Sequence, residues 1–546
     1  MRIAYIDKLS LCALAATALS KTRYTDLYYF EGSSGWKRVI GWFVKLKIFP
    51  SMPRQVEFRL ADIRDDNGES QFVKFTEDTN ALCRELGRKE FAGNSFVRSV
   101  SRHFDVDKLL LFFEKTIHQE INRKVIYVNT ARWHAKRTFD GAAKFSFFMQ
   151  KDLWSAYLGA YASSREIPAI EYRTMISSHT ADCLTRGVFM VAGKIRSAVT
   201  SSKIAGMKQP GTVKKSPSDL RSPGGTPIAA WYTGRTVTFG LQQRSDFFWM
   251  LKSQIPHDQV LIYFDRTDLP VSDEMANTLK NEHVRFTALS PGARTSSAIP
   301  LWRTGPGCTR LFRSLVRAIF TEVALHALKL RRVRWFFISN VLVFAWQFSY
   351  WYDFFKSNGV KININPNDYS RMNICMHAAL EQNQGIAISY QWSNLSVSST
   401  LFGSGADVLF SFGPAYRWVW EASHSAINSL VYCGYITDYS FPEVKENARK
   451  LRARLQELGV RFIICYFDEN SSDDRMSVIS NSRSARIYRY LIERMLEDET
   501  LGLIFKPGYP RTLYRRISPI HDLVEKAKAS GRCIFMDKGS YVTEQY

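Results

Sequence analysis

The sequence predicts an α/β fold with two Rossmann-like domains and an additional N-terminal α/β region. Three observations lead to this prediction. Short apolar runs, such as QVLIYF at 259–264, are typical of buried parallel strands. Such runs alternate with helical patterns up to residue 536, which favours doubly wound parallel sheets. A stretch rich in Ser, Gly, Pro and Lys at 200–227 separates this part from the preceding one.

The N-terminal region, residues 1–199, is predicted to be mixed α/β. Strands are expected at 2–6 and at 124–129 (KVIYVN), with an amphipathic helix at 107–122 between them. Residues 200–227 then form a flexible linker or an exposed loop.

The first residues allow two interpretations. The apolar stretch 9–20 follows Arg2 and Lys8, as in a signal peptide, but it also fits a small-residue helix after a first strand. We favour the strand and helix, because Asp7 fits poorly in a cationic leader.

The first Rossmann-like domain is assigned to 228–441 and the second to 442–546. In the first, strands are predicted at 259–264, 284–288, 360–364, 385–390, 406–412 and 429–433, and helices at 275–282, 311–330, 333–357 and 372–382. In the second, strands are predicted at 461–467, 502–505 and 533–536, and helices at 442–459, 484–496 and 520–530. Three strands are few for a Rossmann-like domain, so we expect the second domain to be incomplete.

Composition narrows the class of protein. The 546 residues include 45% hydrophobic and 14% aromatic residues, which excludes a disordered or collagen-like chain. The mean hydropathy of −0.21 excludes a polytopic membrane protein. The net charge of +23 favours an anionic partner: nucleic acid, an anionic membrane surface or a phosphorylated substrate.

The eight cysteines are scattered without a Cys-x-x-Cys pair, so they predict reduced thiols in a cytosolic protein and no metal site. Residues 335–352 carry no charge over a length near the lower limit for a membrane span. We favour a buried helix there, with an interfacial helix flanked by basic residues as the alternative.

Ligands of open parallel sheets bind at the carboxyl ends of the strands, so the loops there supply the candidate site residues. After the strand at 385–390 come Gln391, Trp392, Ser393 and Asn394, whose polar groups and indole ring suit a sugar. Gly413 follows the next strand. A polar turn with an anchoring tryptophan is the alternative.

The second domain offers a candidate phosphate site. Asn470, Ser471 and Ser472 follow one strand, and Lys506, Gly508 and Arg511 lie at and after the next. Small polar residues before a helix present amides to an anion, and lysine adds charge. Three acids in the first loop, Asp468, Glu469 and Asp473, oppose an anion, so a solvated loop is the alternative.

Asp438 follows the last strand of the first domain. It is our candidate for a catalytic base, with a helix cap as the alternative.

Residues from about 229 to 546 resemble bacterial surface-carbohydrate and capsule-biosynthesis proteins that have a GT-B glycosyltransferase architecture. The features that carry the resemblance, in order along the chain, are RSDFFW at 244–249 followed by QVLIYF, YQWSN at 390–394, SFG at 411–413, GYITD at 434–438 and KPGYP at 506–510.

The resemblance implies a nucleotide-activated sugar donor, bound mainly by the C-terminal domain, and an acceptor in a cleft. It also implies that no metal or other cofactor is required. By position, Lys506 would meet the donor phosphate, and the loop at 391–394 would face the acceptor.

We therefore expect a glycosyltransferase that extends a cell-surface polysaccharide or a lipid-linked acceptor. It would work in the cytoplasm, peripheral to the inner face of the cell membrane. A sugar-nucleotide epimerase or polyol-phosphate transferase on the same fold is one alternative. A non-enzymatic basic protein that binds nucleic acid or membrane is another, although the dispersed charge gives no reason to expect a specific nucleic acid.

Overall fold

The computed structural model describes residues 2–20, 22–32, 53–59, 63–66, 70–92, 95–139, 144–173, 227–232, 234, 237–240, 247–251, 253–326, 332–366, 369–395, 397–474, 477 and 479–536. The predicted linker at 200–227 lies outside these residues except for Pro227. The chain divides into two compact units. The first comprises Met1–Glu85, Ile117–Pro223 and Lys329–Phe337, and the second comprises Leu86–Thr116, Gly224–Leu328 and Ile338–Tyr546.

The first unit contains a five-stranded, fully parallel sheet in the order β3-β2-β1-β4-β5. Its strands are β1 (Arg2–Lys8), β2 (Asp26–Glu31), β3 (Arg54–Glu57), β4 (Lys144–Gln150) and β5 (Ala169–Tyr172). Its helices include α1 (Leu11–Leu19), capped by the Ser10 hydroxyl, which accepts from Ala13 N at 3.1 Å. Strand β1 confirms the strand predicted at 2–6, and α1 confirms the helix predicted after it.

The predicted strand at 124–129 is wrong, because these residues lie inside a helix. After α2 (Gln71–Leu86) and α3 (Ser95–Val100), helix α4 runs over Val106–Phe139 without a glycine or proline. Val125, Ile126, Tyr127 and Val128 are all buried. A helical turn that is buried on every side has the same unbroken run of apolar residues as a buried strand. The apolar run alone therefore could not distinguish a helix from a strand here. The Asp105 carboxylate accepts from Lys108 N at 2.7 Å and caps this helix.

The second unit contains a seven-stranded parallel sheet in the order β12-β11-β10-β9-β6-β7-β8. Its strands are β6 (Ile228–Trp231), β7 (Val260–Phe264), β8 (Arg285–Ala288), β9 (Ile362–Asn365), β10 (Ile386–Tyr390), β11 (Val408–Ser411) and β12 (Ser429–Tyr432). From β6 the chain winds outward through β7 and β8, and then outward on the other side through β9 to β12. The strand order therefore reverses between β6 and β9, which is a topological switch point.

Helix α5 (Ser155–Ser164) lies between β4 and β5 of the first sheet. Between the strands of the seven-stranded sheet, helices alternate with strands as the sequence predicts. These helices are α6 (Phe248–Leu251), α7 (Asp273–Asn281), α8 (Pro306–His326), α9 (Arg332–Asn358), α10 (Arg371–Gln382) and α11 (Arg417–Ala422). Helix α9 holds the charge-free stretch and buries Phe337, Val341, Phe344 and Phe354 completely, which confirms the predicted buried helix. In the described part of the chain, no helix has the length and apolar character needed to cross a bilayer.

A three-stranded parallel sheet, β13-β14-β15, completes the second unit. Its strands are β13 (Phe462–Asp468), β14 (Leu501–Pro507) and β15 (Cys533–Phe535), and the helices around it are α12 (Phe441–Glu457), α13 (Asn481–Glu497), α14 (Leu513–Arg516) and α15 (His521–Ala529). Tyr488, Leu503 and Phe505 form the centre of its core. The sequence predicts β13 to be buried, but Phe462 is 63% exposed because β13 lies at the sheet edge.

Asp7 fastens three strands of the first sheet at its carboxyl edge. Its carboxylate accepts from Gln150 N at 2.8 Å, from Lys8 N at 2.6 Å and from the Tyr172 hydroxyl at 2.8 Å. Burial raises the pKa of Asp7. The three donors nevertheless satisfy both of its oxygens, so the site is structural.

We expect Asp7→Asn to weaken this edge by about 1–3 kcal/mol, because an amide nitrogen cannot accept and leaves buried donors unsatisfied. Hydrogen exchange at the Lys8 and Gln150 amides measures the loss. Asp26→Asn, the same change at the amino end of β2, should leave both amides unaffected. Equal protection in the two variants would show that Asp7 does not hold the edge.

Candidate functional site

The residues proposed from the sequence fall into two groups in the second unit. Gln391, Trp392, Ser393, Asn394 and Gly413 follow β10 and β11. Asn470, Ser471, Ser472, Lys506 and Gly508 lie at the ends of β13 and β14, and Arg511 lies in the turn after them. Because neighbouring parallel strands end at the same edge, each group is brought together on its own sheet.

Gly508 brings the loops after β13 and β14 into contact. Its N–H donates to the Asp468 carbonyl oxygen at 3.1 Å. A Cβ atom at Gly508 would lie 2.8 Å from that oxygen and 3.6 Å from the backbone nitrogen of Asn470. The backbone approach therefore requires glycine here, since any side chain would push the two loops apart.

A buried ion pair supports the same loops. The Arg516 guanidinium donates to Asp468 Oδ2 at 2.8 Å and to the Ser471 hydroxyl at 3.1 Å, and both side chains of the pair are at most 2% exposed. The Tyr488 hydroxyl donates to the same carboxylate oxygen at 3.2 Å. Burial and the neighbouring Asp468 raise the pKa of Tyr488, so its hydroxyl keeps the proton that it donates.

Sequence reasoning missed Arg516. It follows Arg515 directly, and Arg515 is exposed. The available signal was spacing: Leu513, Arg516 and Ile517 are all buried, three and four positions apart, which is the pattern of a helix face turned to the core.

The small polar residues after β13 differ in their contacts. The Ser471 hydroxyl lies 3.0 Å from Asn481 Oδ1 and also accepts from Arg516, so it is engaged within the protein. The Ser472 hydroxyl accepts from Asp474 N at 3.1 Å. Asn470 is exposed beside Gly508, and Arg511 is exposed in the turn after β14. Lys506 is half-buried near the end of β14, in register with Phe467.

Gln391 ties two strands together. Its Oε1 accepts from the Ser411 hydroxyl at 2.9 Å and from Phe412 N at 3.0 Å, and its Nε2 donates to the Ser393 carbonyl oxygen at 3.0 Å. The side chain is 2% exposed. Its amide therefore fixes the carboxyl ends of β10 and β11.

Beside Gln391 lies a small cavity lined by aromatic rings, those of Tyr369, Trp392, Phe402 and Trp420 among them. Ser393, which lines the cavity, is exposed. Asn394 is also exposed, and its side-chain oxygen accepts from the Tyr416 hydroxyl at 2.8 Å. At Gly413 an added Cβ atom would meet nothing within 4 Å, so packing does not require glycine there.

Asp438 is exposed in a short turn after β12, the strand at the far edge of the sheet. Its backbone N–H donates to the Tyr435 carbonyl oxygen at 3.1 Å. This strand is distant in sheet order from the switch point between β6 and β9.

A second carboxylate, which sequence reasoning missed, lies next to the switch point. Asp265 directly follows β7, and its Oδ1 accepts from the indole N–H of Trp231, the last residue of β6, at 2.8 Å. Asp265 is exposed, yet desolvation by the surrounding protein raises its pKa. The signal was available, because Asp265 is the first residue after the QVLIYF strand.

Among the described residues, no group of three or more His, Cys, Asp and Glu side chains is placed to hold a metal ion. The seven cysteines in the described ranges are free thiols.

We expect Arg516→Met to destabilise the β13–β14 edge by about 3–5 kcal/mol, because it leaves the buried Asp468 carboxylate without its cation. Hydrogen exchange of the β13 and β14 amides measures this change. Arg515→Met, one residue earlier and exposed, should stay within about 0.5 kcal/mol of the parent. If both variants exchange alike, the ion pair does not support the loops.

Comparison with solved structures gives a distant likeness. No protein-family model matches the sequence, and no curated protein matches it. Among solved structures, the chain is similar to the crystal structure of Anabaena Alr3699/HepE in complex with UDP and glucose. The two are 10% identical, the match covers 58% of this chain and 70% of that chain, and the TM-score is 0.30. A likeness this distant assigns no activity to this chain.

Proposed function

We propose that this chain is a glycosyltransferase that moves a sugar from a nucleotide-activated donor to a cell-surface polysaccharide or a lipid-linked acceptor. The proposal rests on the arrangement at the carboxyl ends of β13 and β14. Gly508 and the ion pair of Arg516 with Asp468 hold the two loops there in contact. Lys506 lies near the carboxyl end of β14, and Asn470 and Gly508 are exposed beside it, so a phosphate group bound there would meet a positive charge and the backbone of both loops.

The loop after β13 carries several acidic residues, which would repel a phosphate, but one of them is neutralised. Asp468 is neutralised by Arg516. Asp473 accepts from Asn481 N at 3.0 Å and from Asn481 Nδ2 at 2.9 Å. Glu469, Asp473 and Asp474 are exposed carboxylates, and Lys506 and Arg511 place two positive charges near them. The ion pair of Asp468 thus lowers the negative charge that a phosphate would face here.

The cavity at the ends of β9 to β11 has a volume of about 20 Å³, enough for one water molecule, so a sugar bound to the seven-stranded sheet would pack against the aromatic rings at its mouth. Trp392 and Tyr369 line it, and the Ser389 and Gln391 side chains stand among them. Apolar faces of sugar rings pack on aromatic rings, while sugar hydroxyls bond to polar groups at the rim.

The proposed chemistry is group transfer by positioning and charge neutralisation. Lys506 and nearby amides would stabilise the negative charge that grows on the departing phosphate. The net charge of +23 would hold the enzyme near anionic lipids and phosphorylated acceptors at the inner face of the membrane.

We expect the chain to bind one of UDP, GDP, CDP or CMP in a calorimetric titration, and Lys506→Gln to weaken that binding about 10- to 100-fold, as for loss of one charge-assisted hydrogen bond. Lys526→Gln, an exposed lysine on α15, should leave the affinity unchanged.

Absence of binding by any nucleotide or nucleotide sugar would contradict the proposal. Steeply salt-dependent binding to arbitrary duplex DNA in its place would favour a nucleic-acid-binding protein. Chromatography of the products separates transfer from epimerisation, since an epimerase converts the donor without an acceptor.

A further inference from the structure

The switch point of the seven-stranded sheet carries a carboxylate that no part of the phosphate site uses. In a doubly wound sheet, the crevice opens at the carboxyl ends of the strands where their order reverses, here between β6 and β9. Trp231 ends β6, and Asp265 follows β7, its neighbour in the sheet. The 2.8 Å hydrogen bond from the indole N–H to Asp265 Oδ1 fixes the carboxylate at this edge.

Only one of the two carboxylate oxygens is occupied by a neighbouring side chain. Asp265 Oδ2 accepts no bond from another side chain of the described ranges, and the residue is exposed. Asp265 thus combines a fixed orientation with an oxygen that an incoming group can reach. Asp7, by contrast, is buried, and both of its oxygens are occupied.

The charged and titratable neighbours of Asp265 are few. Arg266 and Asp268, in the same loop, pair with each other. Burial and the negative charge of Asp265 raise the pKa of Tyr263 on β7 and of Tyr350 on α9, so both phenols stay neutral. Desolvation is the main cause of the raised pKa of Asp265, which makes its carboxylate a stronger base than an aspartate in water.

We propose that Asp265 is the catalytic base, which binds the acceptor hydroxyl through Oδ2 and accepts its proton. This inference rests on the proposed glycosyltransferase function. It assigns to Asp265 the role for which the sequence suggested Asp438.

The step balances as a single displacement. The acceptor oxygen forms a bond to the anomeric carbon of the donor sugar as its proton passes to Asp265 Oδ2. The bond between the anomeric carbon and the phosphate oxygen breaks, and the nucleotide phosphate leaves with the electron pair. Because the acceptor attacks the anomeric carbon directly, the product has the inverted anomeric configuration.

The first test compares Asp265→Asn with Asp258→Asn, an exposed aspartate near the amino end of β7. Asp265→Asn should lower the transfer rate roughly 100-fold or more, since general-base catalysis contributes that much, and leave nucleotide affinity unchanged. Asp258→Asn should behave as the parent. Retained nucleotide affinity shows that the variant is folded.

The second test uses Trp231→Phe and the dependence of transfer on pH. Transfer requires ionised Asp265, so activity falls as the pH falls through the pKa of this group. Removing the indole N–H takes away a bond to the charged form, so the acid limb of the profile should move up by about 0.5 to 1 in pH. A merely structural tryptophan would lower the rate without moving this limb.

The outcomes separate the two proposals. If the parent neither binds a nucleotide nor transfers a sugar, the proposed function and this inference both fall. If the parent transfers and Asp265→Asn transfers equally well, only the assignment of Asp265 falls. NMR of the product decides the stereochemistry, and retention of configuration would also overturn the inference.

Discussion

Parallel strand pairing is the constraint on which the rest of this structure depends. Every ladder in the three sheets is parallel. A parallel pair cannot be closed by a tight turn, so each connection must cross back over the sheet, usually as a helix. The crossing leaves all carboxyl ends of a sheet at one edge, and the loops that carry polar side chains collect there. The Asp7, Gln391, Asp265 and Asp468 contacts all lie at such edges.

The polar side chains at these edges separate by burial into two kinds. Gln391, Ser471 and Arg516 are buried, with their hydrogen-bonding groups engaged by neighbouring loops. They hold the loops in place, since a buried polar group must be satisfied within the protein. Asn394, Asn470 and Asp265 are exposed, so a ligand in solution can reach them. Residue type alone does not distinguish the two kinds.

The sequence predicts the strands and helices of the second unit better than the contacts of its polar side chains. Long apolar runs located the strands of the second unit to within a few residues and its longer helices to within about five, but they missed β6, the short segment IAAW at 228–231. The first sheet was largely missed, because β2 begins and ends with an acid and β3 is a polar segment of four residues. The position rule for parallel sheets placed Lys506, Gly508 and Ser471 at the carboxyl ends of neighbouring strands, and they lie there, at and after β13 and β14. It could not identify Arg516, whose partner Asp468 lies 48 residues away, or show that the Gln391 amide is occupied.

The interleaving of the two units sets the order in which the chain can fold during synthesis. Residues 86–116 belong to the second unit although the first unit encloses them in sequence. Lys115 is fully buried, and its ammonium group donates to the Leu401 carbonyl oxygen, 286 residues later. A ribosome needs roughly 15 to 60 s to make that stretch. Phe112 packs against Phe344 of α9, so for most of this time the apolar residues Leu109, Phe112 and Phe113 of early α4 lack that cover, and the nascent chain is most open to aggregation and to chaperones then.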